Sequence, residues 1–139
     1  PLFYFPKLPF QMGCVSSTSD AGKNVFIVYA HPESKSFVAG MKDHAVNILT
    51  EQGFNVQISD LYKMKFNPIL SEKDFPHRQN KSYLSIPMEQ RNNATNNSYP
   101  SDIRDEIDKL NWADYVLFFY PIWWGGQPAI LKGWMERVF

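Results

Sequence analysis

The sequence has one cysteine, no net charge and no long hydrophobic run, and each of these absences excludes a class of protein. Because Cys14 is the only cysteine, no disulfide can form within the chain, which is typical of a reducing compartment. Fourteen basic and fourteen acidic residues cancel, so no overall field attracts nucleic acid or an anionic membrane. No apolar stretch reaches the roughly 20 residues that cross a bilayer. We therefore expect a cytosolic protein that does not bind nucleic acid.

The amino-terminal segment contains one short motif that could change this expectation. If Met12 were the true start, Gly13 would be an N-myristoylation site, with Ser17 in the required place. A second acyl chain on Cys14 would then make a stable membrane anchor. The alternative is a serine-rich leader that contains these residues by chance. A membrane partner is expected only if Gly13 and Cys14 are acylated.

Hydrophobic periodicity predicts a flexible leader over residues 1–23 and one α/β domain over residues 24–139. Short β-branched and aromatic runs indicate strands, and apolar residues at helical spacing indicate helices. Nearly all-apolar strands that alternate with helices are typical of a parallel, doubly wound sheet with the strand order 2-1-3. The predicted strands are 24–30, 54–59 and 115–120, and the predicted helices are 37–52, a helix that opens with Ser101 as its cap, and 127–139.

A long polar segment separates the second strand from the helix at Ser101. Residues 60–100 contain several prolines, and the stretch 92–98 (NNATNNS) has almost nothing to bury. We expect partial turns near residues 61–64 and 72–75, and a mobile Asn-rich tip. Loops of this length in a compact domain are normally functional or disordered.

The loop after the first strand has features of a phosphate-binding site. Ligands of doubly wound sheets bind at the carboxyl ends of the strands, where the strand order reverses. The loop that begins at His31 leads into a helix whose first amides, on Phe37 and Val38, suit a phosphate, and Ser36 can add a hydroxyl. His31 can donate to a phosphate oxygen. Ser34 or Ser36 is available as the N-cap of this helix. The alternative is that Ser36 only caps the helix and that His31 is an ordinary turn residue.

The loop after the third strand has features of a site for a flat ring system. Consecutive Trp123 and Trp124 leave a strand in different directions, so one core cannot easily absorb both. Gly125 and Gly126 let backbone amides approach a ligand closely. An isoalloxazine, with a broad aromatic face and polar edges, fits these residues. The alternative is a pair of core tryptophans beside a glycine turn.

Other chemistries find no support in the residues. The three histidines are scattered and there is one cysteine, so no zinc set is expected. The sequence lacks the motifs of the Walker A loop and of the serine hydrolases. Four acids of the helix at Ser101 are interpreted as a solvated face rather than as catalytic carboxylates: Asp102, Asp105, Glu106 and Asp108.

Four segments in a fixed order identify a family. They are Tyr29-Ala-His-Pro-Glu-Ser-Lys-Ser-Phe37, Ser59-Asp-Leu-Tyr62, Phe66-Asn-Pro68, and the stretch from Pro121 to Val138 that contains PAILKGW. Together they resemble the NAD(P)H:quinone oxidoreductase family over roughly residues 24–75 and 101–139. That family consists of flavodoxin-like, FAD-dependent homodimers that reduce quinones by two electrons.

The resemblance implies an activity, a cofactor and a set of contacts. FAD would take a hydride from NADPH or NADH and pass it to a quinone. The pyrophosphate region of FAD would be held by His31, Phe37 and Val38. The isoalloxazine would be lined by Ile122, Trp123, Trp124 and Gly125. Gly125 stands where the animal enzymes usually have a phenylalanine of the quinone site, so the preferred quinone stays open.

The family's further strands, its glycine-rich flavin loop, and the tyrosine and histidine thought to assist hydride transfer do not occur in these 139 residues. We therefore expect the amino-terminal part of a longer enzyme, truncated after the third strand and its helix, and we assign no catalytic residue. One alternative is an FMN-dependent azoreductase or general NADPH reductase of the same fold. Another is a non-enzymatic module that binds a flavin or a partner.

Overall fold

The computed structural model describes residues 20–139, and over that range it contains three strands and four α-helices. The acylation motif at Gly13 and Cys14 and most of the predicted leader lie outside the described residues. None of the four helices is long and apolar enough to cross a bilayer. The strands are β1 Asn24–Tyr29, β2 Asn55–Asp60 and β3 Tyr115–Phe119; the helices are α1 Phe37–Glu51, α2 Ile86–Asn96, α3 Ser101–Trp112 and α4 Ala129–Val138.

The three strands form one parallel sheet in the order β2-β1-β3, as predicted. Tyr29, at the end of β1, pairs with Asp60 on one side and with Phe119 on the other. The carboxyl ends of all three strands therefore meet at one edge of the sheet. The loops after β1 and β3 leave this edge side by side.

Helices cover the central strand on both faces, which accounts for its apolar composition. Phe26 and Val28 are fully buried in a cluster with Leu131 and Trp134 of α4 and further apolar side chains. Ile27, which alternation places on the opposite face, is also fully buried, and α1 packs on that side against β2 and β3. Each such buried side chain contributes about 1.5–3 kcal/mol. The doubly wound prediction is confirmed.

The partial turns predicted within residues 60–100 are confirmed: residues 61–65 form a turn, and a short 3-10 helix spans Glu72–Asp74. The prediction of a mobile Asn-rich tip is wrong, because the asparagines up to Asn96 belong to α2. α2 buries few apolar groups, and two buried polar side chains fix it instead. Hydrogen bonds to distant backbone groups thus hold α2 in place. The helix lacks the apolar stripe from which a packed helix is predicted.

Glu89 and Asn93 are these two side chains. The Glu89 carboxylate accepts hydrogen bonds from the backbone amides of Gln79 (2.9 Å) and Asn80 (3.0 Å). Asn93 donates to the carbonyl of Asp74 (2.7 Å) and accepts from the Ser98 hydroxyl (3.1 Å). Both contacts reach outside the helix, so α2 is stabilised by the segments on either side of it.

Two helix starts also differ from the prediction. Ser101 does not cap α3: it is the first helical residue, and Pro100 is the N-cap, without a side-chain hydrogen bond. The Pro100 carbonyl accepts from the amides of Ile103 and Arg104. α4 begins at Ala129, two residues later than predicted, because Pro128 holds an extended conformation as its N-cap. In both cases proline fixes the boundary.

Candidate functional site

The loop after β1 closes on itself and leaves the amino end of α1 open. The Ser36 hydroxyl accepts a hydrogen bond from the Ala39 amide (3.1 Å), which confirms Ser36 as the N-cap, and the Ser36 carbonyl accepts from Gly40 (3.0 Å). Among residues 20–139, the amides of Phe37 and Val38 have no acceptor. Free N–H groups at the positive end of a helix dipole favour an anion such as a phosphate.

One ring nitrogen of His31 is bonded to its own loop. Its Nδ1 accepts a hydrogen bond from the Glu33 amide (3.0 Å), so the neutral ring carries its hydrogen on Nε2. The Glu33 carboxylate in turn accepts from the Lys35 amide (2.8 Å). His31 therefore offers one N–H donor, on Nε2, in the loop that leads into α1.

The loop after β3 is a tight hairpin built around a strained tryptophan. Trp123 and Gly126 exchange two backbone hydrogen bonds, of 2.9 and 3.1 Å. Between them Trp124 (φ 53°) and Gly125 (φ 81°) both have positive φ, as in a type I′ turn. A positive φ is common for glycine and rare for a bulky residue, and such strain concentrates at functional sites. Here the strain presents the Trp124 side chain fully to solvent.

His31 and Trp123 join the two loops. Their ring centroids lie 5.4 Å apart with an interplanar angle of 62°, an edge-to-face arrangement. Phe37 (82% exposed) and Ile122 (76% exposed) lie on the same edge of the sheet, with Trp124. Apolar side chains so exposed at one edge are typical of a surface that a ligand or partner covers.

The structure thus brings the eight predicted site residues to one edge of the sheet, where they form two groups. His31, Ser36, Phe37 and Val38 form the anion end, and Val38 is half-buried beneath it. Ile122, Trp123, Trp124 and Gly125 form the apolar end. The interpretation of Trp123 and Trp124 as core residues is wrong, because neither is buried. The assignment of each residue to a cofactor contact stays a prediction.

Comparison with known proteins identifies the fold family. The sequence profile of a family described by its flavodoxin-like fold matches residues 23–139. The chain belongs to this family. The predicted flavodoxin-like class is therefore confirmed. Flavodoxin-like proteins place their ligand where the strand order reverses, which here is the edge between β1 and β3.

Several relatives carry names that agree with the resemblance found in the sequence. This flavodoxin-like chain is 44% identical to human ribosyldihydronicotinamide dehydrogenase [quinone] over 119 residues, or 85% of this chain and 52% of the relative. It is 44% identical to the ribosyldihydronicotinamide dehydrogenase-like protein traD of Penicillium crustosum over 83% of this chain and 43% of traD. The solved NAD(P)H:quinone oxidoreductase of Methanothermobacter marburgensis superposes with a TM-score of 0.69 at 31% identity, covering 85% of this chain and 54% of that one. The chain thus spans about half the length of the relatives it matches.

For one acid of α3, the interpretation from the sequence is wrong. Glu106 is not part of a solvated face: it is completely buried. One carboxylate oxygen accepts from Ser59 (2.9 Å) and Lys109 (2.7 Å), and the other accepts from Nε1 of Trp134 (2.8 Å). The spacing of the apolar residues could have indicated this burial, because Glu106 shares a helix face with Ile103, Ile107 and Leu110. Asp105 and Asp108 are exposed, as predicted.

Arg137 is a second residue whose role was not predicted. Its guanidinium contacts Asp74 with Nη2 (2.6 Å) and donates to the carbonyl of Asn67 (2.8 Å), and it also contacts Asp102 (2.9 Å). Burial alone would lower the pKa of Arg137. The hydrogen bonds to Asp74 and Asp102 and the charges of these two carboxylates have the larger effect, so the pKa is raised. Arg137 therefore anchors α4 to the segment after β2.

Proposed function

We propose that this chain forms the flavin-binding part of an NAD(P)H:quinone oxidoreductase that uses FAD. The observation that carries the proposal is the edge-to-face contact of His31 with Trp123, which joins an anion-binding helix start to an exposed aromatic hairpin. A flavin nucleotide combines the same two parts, a phosphate and a flat ring. The names of the relatives support the choice of a quinone as acceptor.

The residues present fit such a group. The loop and helix start after β1 supply two amides without acceptors, on Phe37 and Val38, and the Nε2–H of His31, which are donors suited to a phosphate. The exposed faces of Trp123 and Trp124 supply apolar area for the ring, and Gly125, which has no Cβ, leaves the backbone open at its edge. When bound, the flavin supplies the electron-accepting ring between a nicotinamide donor and a quinone. The chain binds and orients it, and the exposed aromatic side chains exclude water from one side of the ring.

The proposal extends to the complete protein. We expect a cytosolic homodimer in which the flavin edge lies near the subunit boundary, as the family resemblance implies. The small-molecule partners are NADPH or NADH and a quinone. No side chain of residues 20–139 is proposed to move a proton in the reaction.

Flavin binding tests the proposal directly. The purified chain is titrated with FAD, FMN and riboflavin, and binding is measured by calorimetry and by quenching of flavin fluorescence. We expect FAD and FMN to bind more tightly than riboflavin, because only they carry a phosphate for the start of α1. Chromatography of the flavin released from denatured protein identifies FAD or FMN. FMN would favour the azoreductase or general reductase alternative.

Turnover separates the enzyme from the non-enzymatic alternative. A protein of the relatives' full length, once loaded with flavin, should oxidise NADPH when menadione is supplied. Flavin bound to it without NADPH oxidation would favour a flavin-binding or partner-binding module. The absence of any flavin binding would contradict the proposal.

A further inference from the structure

The imidazole of His31 belongs to the loop at the anion end of the candidate site and contacts Trp123 of the apolar end. On one side its Nδ1 is occupied by the Glu33 amide, which leaves the Nε2–H without a partner among residues 20–139. On the other side the ring lies edge-to-face against Trp123 at 5.4 Å. Within the described chain, Trp124, the next residue, makes no aromatic contact. The two tryptophans of the hairpin therefore differ in how they are held.

We propose that His31 is a positioning residue that couples phosphate binding to the orientation of Trp123. A phosphate at the start of α1 accepts the Nε2–H and fixes the imidazole plane. Because the edge of one ring rests on the face of the other, fixing His31 also fixes the Trp123 indole. Phosphate binding thus orients the Trp123 indole against which the flat ring of the ligand binds.

The coupling is reciprocal, since a coupling free energy between two sites acts equally in both directions. A ring bound against Trp123 should tighten phosphate binding as much as phosphate tightens ring binding. This inference rests on the proposed flavin function for its biological meaning. The coupling itself requires only a phosphate and the Trp123 indole.

Two substitutions of His31 separate its two contacts. His31→Phe keeps an aromatic ring beside Trp123 but removes the N–H donor. His31→Gln keeps an N–H donor at similar reach but removes the ring. Trp123→Phe changes the coupled indole, and Trp124→Phe is the matched control on the neighbouring residue, which has no aromatic contact with His31 in the described part of the chain.

A double-mutant cycle in FAD affinity measures the coupling. For His31→Gln combined with Trp123→Phe, we expect the change in Kd to differ from the product of the single changes by about threefold or more, because contacting residues are not additive. For His31→Gln combined with Trp124→Phe, the change in Kd should equal the product of the two single changes to within about twofold. Equal behaviour of the two pairs would overturn the inference while leaving flavin binding, and so the proposed function, intact.

A second experiment does not depend on flavin. Inorganic pyrophosphate is added to the chain, and the indole bands of the near-ultraviolet circular dichroism spectrum are followed. We expect a change in the unaltered chain and in Trp124→Phe, and its loss in Trp123→Phe and in His31→Phe. No change in the unaltered chain, or an equal change in Trp123→Phe, would overturn the coupling. If the spectra change as expected but no flavin binds, the coupling is supported and the proposed function is contradicted.

Discussion

Gly133 of α4 lies directly against Pro68, so closely that a Cβ built on the glycine would be 2.1 Å from the Pro68 carbonyl oxygen. The obstacle is backbone, which cannot move aside as a flexible side chain can. We expect Gly133→Ala to lower the free energy of unfolding by about 1–3 kcal/mol, as overpacking of a core does. Urea denaturation measures the change.

Gly40 of α1 provides the matched control, because a Cβ at this position meets nothing within 4 Å. Gly40→Ala should raise the free energy of unfolding by roughly 0.5–1 kcal/mol, the ordinary gain of alanine over glycine in a helix. If both substitutions destabilise equally, close packing on Pro68 is not the reason for a glycine at position 133.

The buried Glu106 should be among the most sensitive polar residues of the domain. Glu106→Ala leaves Lys109 without its carboxylate and Nε1 of Trp134 without its acceptor. We expect a loss of roughly 3 kcal/mol in the free energy of unfolding, since a partner group is left unsatisfied. Thermal unfolding of Asp105→Ala, the exposed neighbour on the same helix, should show a change within about 0.5 kcal/mol.

Trp124 should be dispensable for stability but not for ligand binding. Trp124→Gly removes the penalty of a bulky residue at φ 53°, so the free energy of unfolding should stay constant or rise by up to about 1 kcal/mol. Flavin affinity should fall by about two- to tenfold, the effect of one lost aromatic contact. A loss of stability together with unchanged affinity would show that Trp124 is structural. Parallel denaturation and fluorescence titrations distinguish the two.

The loop held by Glu89 should respond to acid. Hydrogen bonds from the amides of Asn80 and Gln79 lower the pKa of Glu89 below its ordinary value. The carboxylate therefore adds stability that is complete above the ordinary glutamate pKa and is lost as the pH falls through the lower pKa of the folded state. The stability difference between the unaltered chain and Glu89→Gln should shrink over that acidic range.

Amide hydrogen exchange locates the effect of Glu89. Protection of the Gln79 and Asn80 amides should decrease in Glu89→Gln near neutral pH and stay unchanged in Glu51→Gln, which alters an exposed glutamate at the end of α1. Unchanged protection in Glu89→Gln would contradict the hydrogen-bonded role of this carboxylate.

The parts of the fold that follow local rules could be predicted from the sequence. β1 is apolar on both faces, and such a strand has to lie in the middle of a covered parallel sheet. Ser36 precedes an apolar helical pattern and is the cap that this pattern calls for. The predicted order of strands followed from these features and from right-handed crossovers.

The parts that depend on distant polar contacts could not be predicted in this way. α2 has no apolar stripe, and it forms because Glu89 and Asn93 bond to backbone groups more than eight residues away. Glu106 is a charged residue on the buried face of α3, where its partners come from β2 and α4. At the candidate site the positive φ of Trp124 was equally invisible, because no local rule places a tryptophan there.

The backbone of the hairpin at Trp123 and of the loop at His31 is held by hydrogen bonds within the chain. A molecule that arrives at this edge therefore meets backbone that is already ordered, and only side chains such as those of His31 and Trp123 settle on binding. Its capture should be fast and limited by diffusion and orientation, and its affinity should be free of the entropic penalty that mobile loops impose.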